Sequence, residues 1–142
     1  FDGVKIEPVQ PLALALTMGA GFVARGFSGD IPHLVSIMKE AIKYKGYALV
    51  DILQPCIVWN KVNTFSWYKS RVYHLPEDYD YTNKEEAIKK AFEFGDRIPI
   101  GILYKVEKET YEDRFDFIKN GPPLVDIELN PMDAERLMEE FK

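Results

Sequence analysis

Two rhythms of apolar residues run along the chain. In Ile31–Lys45, the residues Leu34, Val35, Ile37, Met38, Ala41 and Ile42 recur at helical spacing, with Lys39, Glu40, Lys43 and Lys45 largely on the other side. That pattern predicts an amphipathic helix, with Asp30 as its N-cap and Gly46 as its stop. Tyr47–Leu53 is instead a nearly continuous apolar run, as expected of a central strand buried on both faces. Upstream, Pro11–Met18 reads as a short, almost wholly apolar helix that Pro11 opens and Gly19 closes, and Gly21–Phe27 as a short strand. Phe1–Gln10 reads as an entry loop.

The first half therefore runs helix, strand, helix, strand. Its strand–helix–strand part predicts a right-handed βαβ unit with parallel strands. Open parallel sheets bind ligands beyond the carboxyl ends of their strands. The segments leaving those ends are "RGFSGD" and "QPCIVWNKVN". The second half is more broken. Thr64–Tyr73 predicts a helix carrying Trp67 and Tyr68, and "LPEDYDYTN" a loop rich in aromatic and acidic residues. Asn83–Phe94 predicts a capped helix with Ala87, Ile88, Ala91 and Phe92 on its apolar face, and Ile98–Val106 a strand. Thr110–Ile118 fits neither period, and Asn130-Pro131 is expected to start a terminal helix over Met132–Phe141.

With 142 residues, 46% hydrophobic and 29% charged, the chain suits one globular domain or a large piece of one. A formal net charge of -5 disfavours general binding to nucleic acid or an anionic membrane surface. The longest apolar stretch, Pro11–Ala24, is interrupted by Gly19 and Gly21 and does not reach the length of a membrane span. A single cysteine excludes an internal disulfide and fits a reducing compartment, so a cytoplasmic location is expected. The chain begins with Phe1 and carries no signal-peptide pattern, which predicts processing or a fragment.

Three stretches offer chemistry, each beside a plainer reading. Cys56 ends the apolar run of the second strand. A lone cysteine is more often a small buried hydrophobe, and as a metal ligand it needs partners. A cubane iron–sulfur cluster takes roughly four thiolates, and this chain supplies one. In "ARGFSGD", Arg25, Gly26, Ser28 and Gly29 form a turn at a helix start that suits an anion, or a plain strand-to-helix connection capped by Asp30. In "NKVNTFSWYKSR", Asn60, Lys61 and Asn63 suit a phosphate or a partner chain, or simply satisfy their own loop backbone. Trp59, Phe65, Trp67 and Tyr68 suit an interface or an ordinary core. His33 and His74 are singletons without metal-ligand spacing. No residue is singled out as catalytic.

The strings "PLALALTMGAGFVARGFSGDIPHL", "ALVDILQPCIVWNKVNTFSWYKSRVY" and "IPIGILYK" together resemble the beta subunit of 2-oxoacid:ferredoxin oxidoreductases of the pyruvate and 2-oxoglutarate type. The resemblance runs in order from about Pro11 to Tyr104, and the tail beyond Lys105 is less distinctive. It implies an α/β fold: residues 1–58 as the C-terminal part of a thiamine-diphosphate-binding domain, a parallel sheet flanked by helices, and residues 59–142 as the C-terminal module of the beta subunit, with a helical tail.

The resemblance also implies an activity: oxidative decarboxylation of a 2-oxoacid with coenzyme A, thiamine diphosphate supplying the ylid and a 4Fe-4S cluster passing electrons to ferredoxin. In the family pattern the cysteine of "QPC" is the remote cluster ligand, which assigns Cys56 as a metal thiolate. Arg25 and Ser28 are implied near the active-site or coenzyme A entry, and Lys61 and Asn63 in ordering the loop after Cys56. The family's Gly-Asp-Gly…Asn segment, which binds the diphosphate through Mg2+, is absent, as are its Cys-x-x-Cys and third cysteine. The expectation is thus the C-terminal half of a beta subunit, starting just after the thiamine motif and inactive by itself. Its expected partners are the alpha subunit and ferredoxin, with no nucleic acid and no membrane. Two rival readings are a non-catalytic assembly module, in which the aromatic region docks the alpha subunit and Cys56 only packs, and a stand-alone small-ligand domain.

Overall fold

The computed structural model describes residues 5–128, 131–139 and 141. The start of the expected entry loop, residues 1–4, and the expected helix-starting Asn130 lie outside the described residues. The chain separates into two compact units, Phe1–Lys108 and Glu109–Lys142. The boundary expected from the resemblance at residues 58 and 59 lies within the first unit, whose sheet takes strands from both sides of that point.

In the first unit, helix α1 (Pro11–Thr17) precedes strand β1 (Phe22–Phe27), helix α2 (Ile31–Lys43) and strand β2 (Ala48–Leu53). There follow helix α3 (Phe65–Lys69), strand β3 (Val72–His74), helix α4 (Lys84–Phe92) and strand β4 (Ile98–Lys105). The strand order is β2-β1-β4-β3. β1 and β2 are parallel, in register from Phe22 opposite Ala48 to Phe27 opposite Leu53, as the predicted βαβ unit requires. The sheet as a whole is mixed rather than parallel, because β4 runs antiparallel to β1. β3 pairs in parallel with β4.

β1 is the buried centre of the sheet, and its pleat sends alternate side chains to two cores. Phe22 and Ala24 pack with Ile37 of α2 on one face. Val23 packs on the other with Leu12, Leu16, Ala87, Ala91 and Leu103, against α1 and α4. A third cluster gathers Phe27, Leu53, Ile98 and Ile100 with Trp67 and Tyr68 of α3.

Three expectations differ from the structure. The apolar run of β2 places it in the interior, yet it forms one edge of the sheet, and only Leu53 is buried. The helix expected over Thr64–Tyr73 stops at Lys69, and Val72–His74 instead pair with Ile98–Ile100. A β-branched and an aromatic residue there favour the extended state, and ladder bonds to β4 outweigh a further helical turn. On α2, Ile37 is buried, whereas Val35 and Ile42 stay exposed because the sheet covers a narrower stripe than the apolar face offers.

In the second unit, 3-10 turns at Glu112–Arg114 and Leu124–Asp126 accompany helices α5 (Asp116–Lys119) and α6 (Pro131–Glu139). The unclassified Thr110–Ile118 is the first of these turns and most of α5. Asp113 accepts bonds from the Thr110 backbone N–H at 3.1 Å and hydroxyl at 3.0 Å, and pairs with Lys119 at 3.2 Å. No helix among the described residues is long and apolar enough to cross a membrane.

Candidate functional site

Cys56 follows β2 by three residues, on the turn leaving the carboxyl end of that strand. Pro55 is buried and fixes the start of the turn; Cys56 itself is exposed, so it is not the small core hydrophobe of the plainer reading. Its carbonyl accepts from the Asn60 backbone N–H at 2.9 Å, which closes the turn. Backbone N–H groups of Trp59, then Val58 and Asn60, hold the thiol below its ordinary range, helped last by the charge of Lys61. The exposed thiol is thus held in a surround that favours thiolate.

The organiser of the following loop is Asn60. Its side-chain oxygen accepts from the Val62 and Asn63 backbone N–H groups, both at 2.9 Å, and its amide donates to the Asn63 side chain at 3.1 Å. This is an Asx-type turn, the signal for which was present in the sequence as an asparagine in a polar loop. Lys61 donates to the Ile57 carbonyl. Asn63 takes part in the turn, and Thr64 then caps α3 by accepting from Trp67 N–H at 3.3 Å. The loop therefore satisfies its own backbone, which is the plainer of the two readings for Lys61 and Asn63.

The two loops at the carboxyl ends of β1 and β2 are tied together by Ser28. Its backbone N–H at 3.0 Å and its hydroxyl at 3.1 Å both donate to the Leu53 carbonyl. Beneath them Phe27 packs against Phe65 and Tyr68, with ring centroids 6.1 and 5.9 Å apart. Trp67 and Tyr68 belong to this core, whereas Trp59 is 88% exposed beside the thiol, with Ile57, Val58 and Val62 also exposed.

Arg25 takes a different place. The β1 pleat puts it on the Val23 face, 3% exposed. Its guanidinium donates to Asp51 Oδ2 at 3.3 Å and to two carbonyls at the end of α4, Ala91 at 2.9 Å and Glu93 at 3.2 Å. Burial lowers its pKa from the ordinary arginine value, and Asp51 opposes that. A cation on the last carbonyls of a helix also complements its dipole. Arg25 thereby clamps α4 to β1. Arg25 and Ser28, expected near the active-site or coenzyme A entry, and Lys61 and Asn63, expected to order the loop after Cys56, all have hydrogen bonds within the chain.

Residues 56–120 match the family described as the C terminal of the pyruvate ferredoxin oxidoreductase beta subunit. The chain is 44% identical over 132 residues to a 2-oxoacid:ferredoxin oxidoreductase subunit beta of Sulfolobus sp, covering 84% of this chain and 43% of that relative. It is 39% identical over 152 residues to the corresponding subunit of Saccharolobus solfataricus, covering 93% of this chain and 50% of the relative. Among solved structures, it resembles the 2-oxoglutarate:ferredoxin oxidoreductase from Magnetococcus marinus with 2-oxoglutarate, coenzyme A and succinyl-CoA bound. There the TM-score is 0.78 and the identity 30%, covering 94% of this chain and 46% of that one. The chain spans about half the length of the curated relatives it matches. From its helices and mixed sheet to the loop that begins at Cys56, the chain belongs to the beta-subunit family of 2-oxoacid:ferredoxin oxidoreductases.

Proposed function

We propose that this chain serves as the C-terminal part of a 2-oxoacid:ferredoxin oxidoreductase beta subunit and that Cys56 gives one thiolate to its 4Fe-4S cluster. The enzyme would decarboxylate a 2-oxoacid oxidatively onto coenzyme A and pass the electrons to ferredoxin, acting with an alpha subunit. The observation that carries this reading is the exposure of the chain's single thiol at the strand-end turn where the family match begins. A cluster bound there would relay electrons one at a time. The chain's own part is to hold the sulfur in place: Pro55 anchors the turn, Ser28 ties it to β1, and backbone N–H groups face the sulfur, where hydrogen bonds tune a metal site. With one cysteine here, the remaining thiolates come from residues outside this sequence.

The further reading of residues 1–58 as the C-terminal part of a thiamine-diphosphate-binding domain is supported by the parallel β1–β2 pair, whose loops leave the same edge. The described residues do not fit the diphosphate and Mg2+ themselves, so no step is assigned to this chain through that cofactor.

In the assembled enzyme, Cys56→Ala is expected to lower iron content and abolish ferredoxin reduction while the subunits still co-purify. Full iron content with undiminished ferredoxin reduction would show the ligand assignment to be wrong. That outcome would favour the second reading, a non-catalytic assembly module, for which the exposed Ile57, Val58, Trp59 and Val62 speak. Trp59→Ala would then weaken subunit association while Cys56→Ala left the redox activity intact.

A further inference from the structure

The turn after β1 and the end of β3 bring together three side chains that lie far apart in the sequence. His74 Nε2 stands 2.8 Å from Asp30 Oδ2. The imidazoles of His33 and His74 stack with centroids 4.2 Å apart and planes 18° from parallel. One ligand atom from each of Asp30, His33 and His74 lies within 4.8 Å of the other two. We propose that Asp30, His33 and His74 form a binding site for a zinc-class divalent transition metal ion.

The donor set suits such an ion: two imidazole nitrogens and one carboxylate oxygen match its preference, and three protein ligands leave a position for water or a small ligand. His33 Nδ1 is buried and has no hydrogen-bond partner, a state that costs free energy and that coordination in this cluster would relieve. Two of the ligands stand on supported backbone. Asp30 is the N-cap of α2: its Oδ1 accepts from His33 N–H at 3.3 Å, which leaves Oδ2 for another partner. His74 is the last residue of β3 and opposes Ile100 of β4.

The stacked rings do not aim their lone pairs at one point, so one ring must turn. His74 is the ring free to do so, because its side chain is 59% exposed. Its Nε2 would exchange the contact with Asp30 for the metal, which takes the neutral ring with its proton on Nδ1. His33 also lines a cleft of about 220 Å³ with Ser36, Glu77, Tyr79 and Tyr81, which provides polar groups and room beside the cluster.

The test uses the full chain carrying Cys56→Ser, so that the exposed thiol does not compete for metal. After chelator treatment, the protein is titrated with Co2+, followed by its visible absorption, and with Zn2+ against a chromophoric chelator. One equivalent of each is expected to bind per chain. Adding His74→Gln or Asp30→Asn is expected to weaken binding at least as much as loss of an outer-shell partner does, roughly 10–100-fold. Asn is as good an N-cap as Asp, so Asp30→Asn separates the missing carboxylate from a damaged helix. Circular dichroism checks that each variant is folded. Absence of stoichiometric binding to the parent, or an unchanged affinity in either variant, overturns the three-ligand site.

Discussion

If Arg25 is a clamp, removing its donors should loosen the packing of α4 on the sheet. Arg25→Met is the informative change, because a methionine side chain fills most of the volume of the arginine stem and leaves little cavity. What disappears is the guanidinium and its bonds to Asp51 and to the Ala91 and Glu93 carbonyls. An unsatisfied buried acceptor costs about 1–3 kcal/mol. The Ala91 bond is buried and takes a value near the middle of that range, while the Glu93 bond is partly buried and takes less. Asp51 retains 29% side-chain exposure and can rehydrate, so its loss counts least. Against this stands relief from burying a cation, which favours the apolar replacement. The net expectation is a destabilisation of about 2–3 kcal/mol.

Urea denaturation measures it. With a slope of about 1–3 kcal/mol per molar urea, the midpoint should fall by roughly 1 M or more. Arg25→Lys should fall by less, since an ammonium keeps the charge and one or two of the bonds but cannot span three acceptors in a plane. A midpoint for Arg25→Met within about 0.2 M of wild type, equivalent to less than about 0.5 kcal/mol, would refute the clamp and return Arg25 to the set of candidate ligand contacts.

Two other expectations are open to test. Gly101, in the middle of β4, has φ +139, and a Cβ there would come within 3.2 Å of Leu75 Cδ1. Gly101→Ala should therefore destabilise by about 1–3 kcal/mol in the same urea assay, and an unchanged midpoint would contradict the strain. In the second unit, the Thr110 backbone N–H, followed by Lys119 and the Thr110 hydroxyl, holds Asp113 down to about 2 from an ordinary 3.8. A carboxyl lowered on folding stabilises above its unfolded value and loses that contribution as pH falls through its folded one. The near-ultraviolet circular dichroism of Tyr111 and Phe115 should accordingly fade as pH drops from about 4 towards 2, and Asp113→Asn should blunt that dependence. Identical acid profiles for the two proteins would contradict the role given to Asp113.

Where structure was legible in the sequence, the signal was local. Pro11 and Gly19 bracket α1, Asp30 caps α2, Asn83 caps α4 by accepting from Glu85 and Glu86 N–H groups, and each lies within a few residues of what it governs. Long-range pairing was not legible. Val72–His74 is too short to announce itself and exists as a strand because β4 is beside it. The apolar run of β2 reads as an interior strand, and nothing within it tells that β1 is its neighbour on one side only. Cys56 could be placed at a strand end because the apolar run stops just before it. Arg25 could not be separated from a ligand contact, because its acceptors at Ala91 and Glu93 are main-chain carbonyls more than sixty residues away and carry no side-chain signature.

The turn from Phe27 to Asp30 shows why such a segment is easily mistaken for a ligand loop. Its glycine, serine and aspartate are the residues that would cradle an anion, yet each polar group already has an address. The Asp30 N–H donates to Phe27 O at 3.0 Å, Ser28 gives both donors to Leu53, and the Asp30 side chain caps α2. Gly29 is small because Phe27 lies over it: a Cβ there would fall 2.4 Å from the Phe27 ring. What remains uncommitted at this edge is carried by neighbours of the turn, the Cys56 thiol on one side and the His33 nitrogen on the other. Ser28 and the Asp30 Oδ1 cap hold these neighbours in place, so most of the turn's composition reflects the geometry it must adopt, and of its own polar atoms only Asp30 Oδ2, 2.8 Å from His74, joins the chemistry.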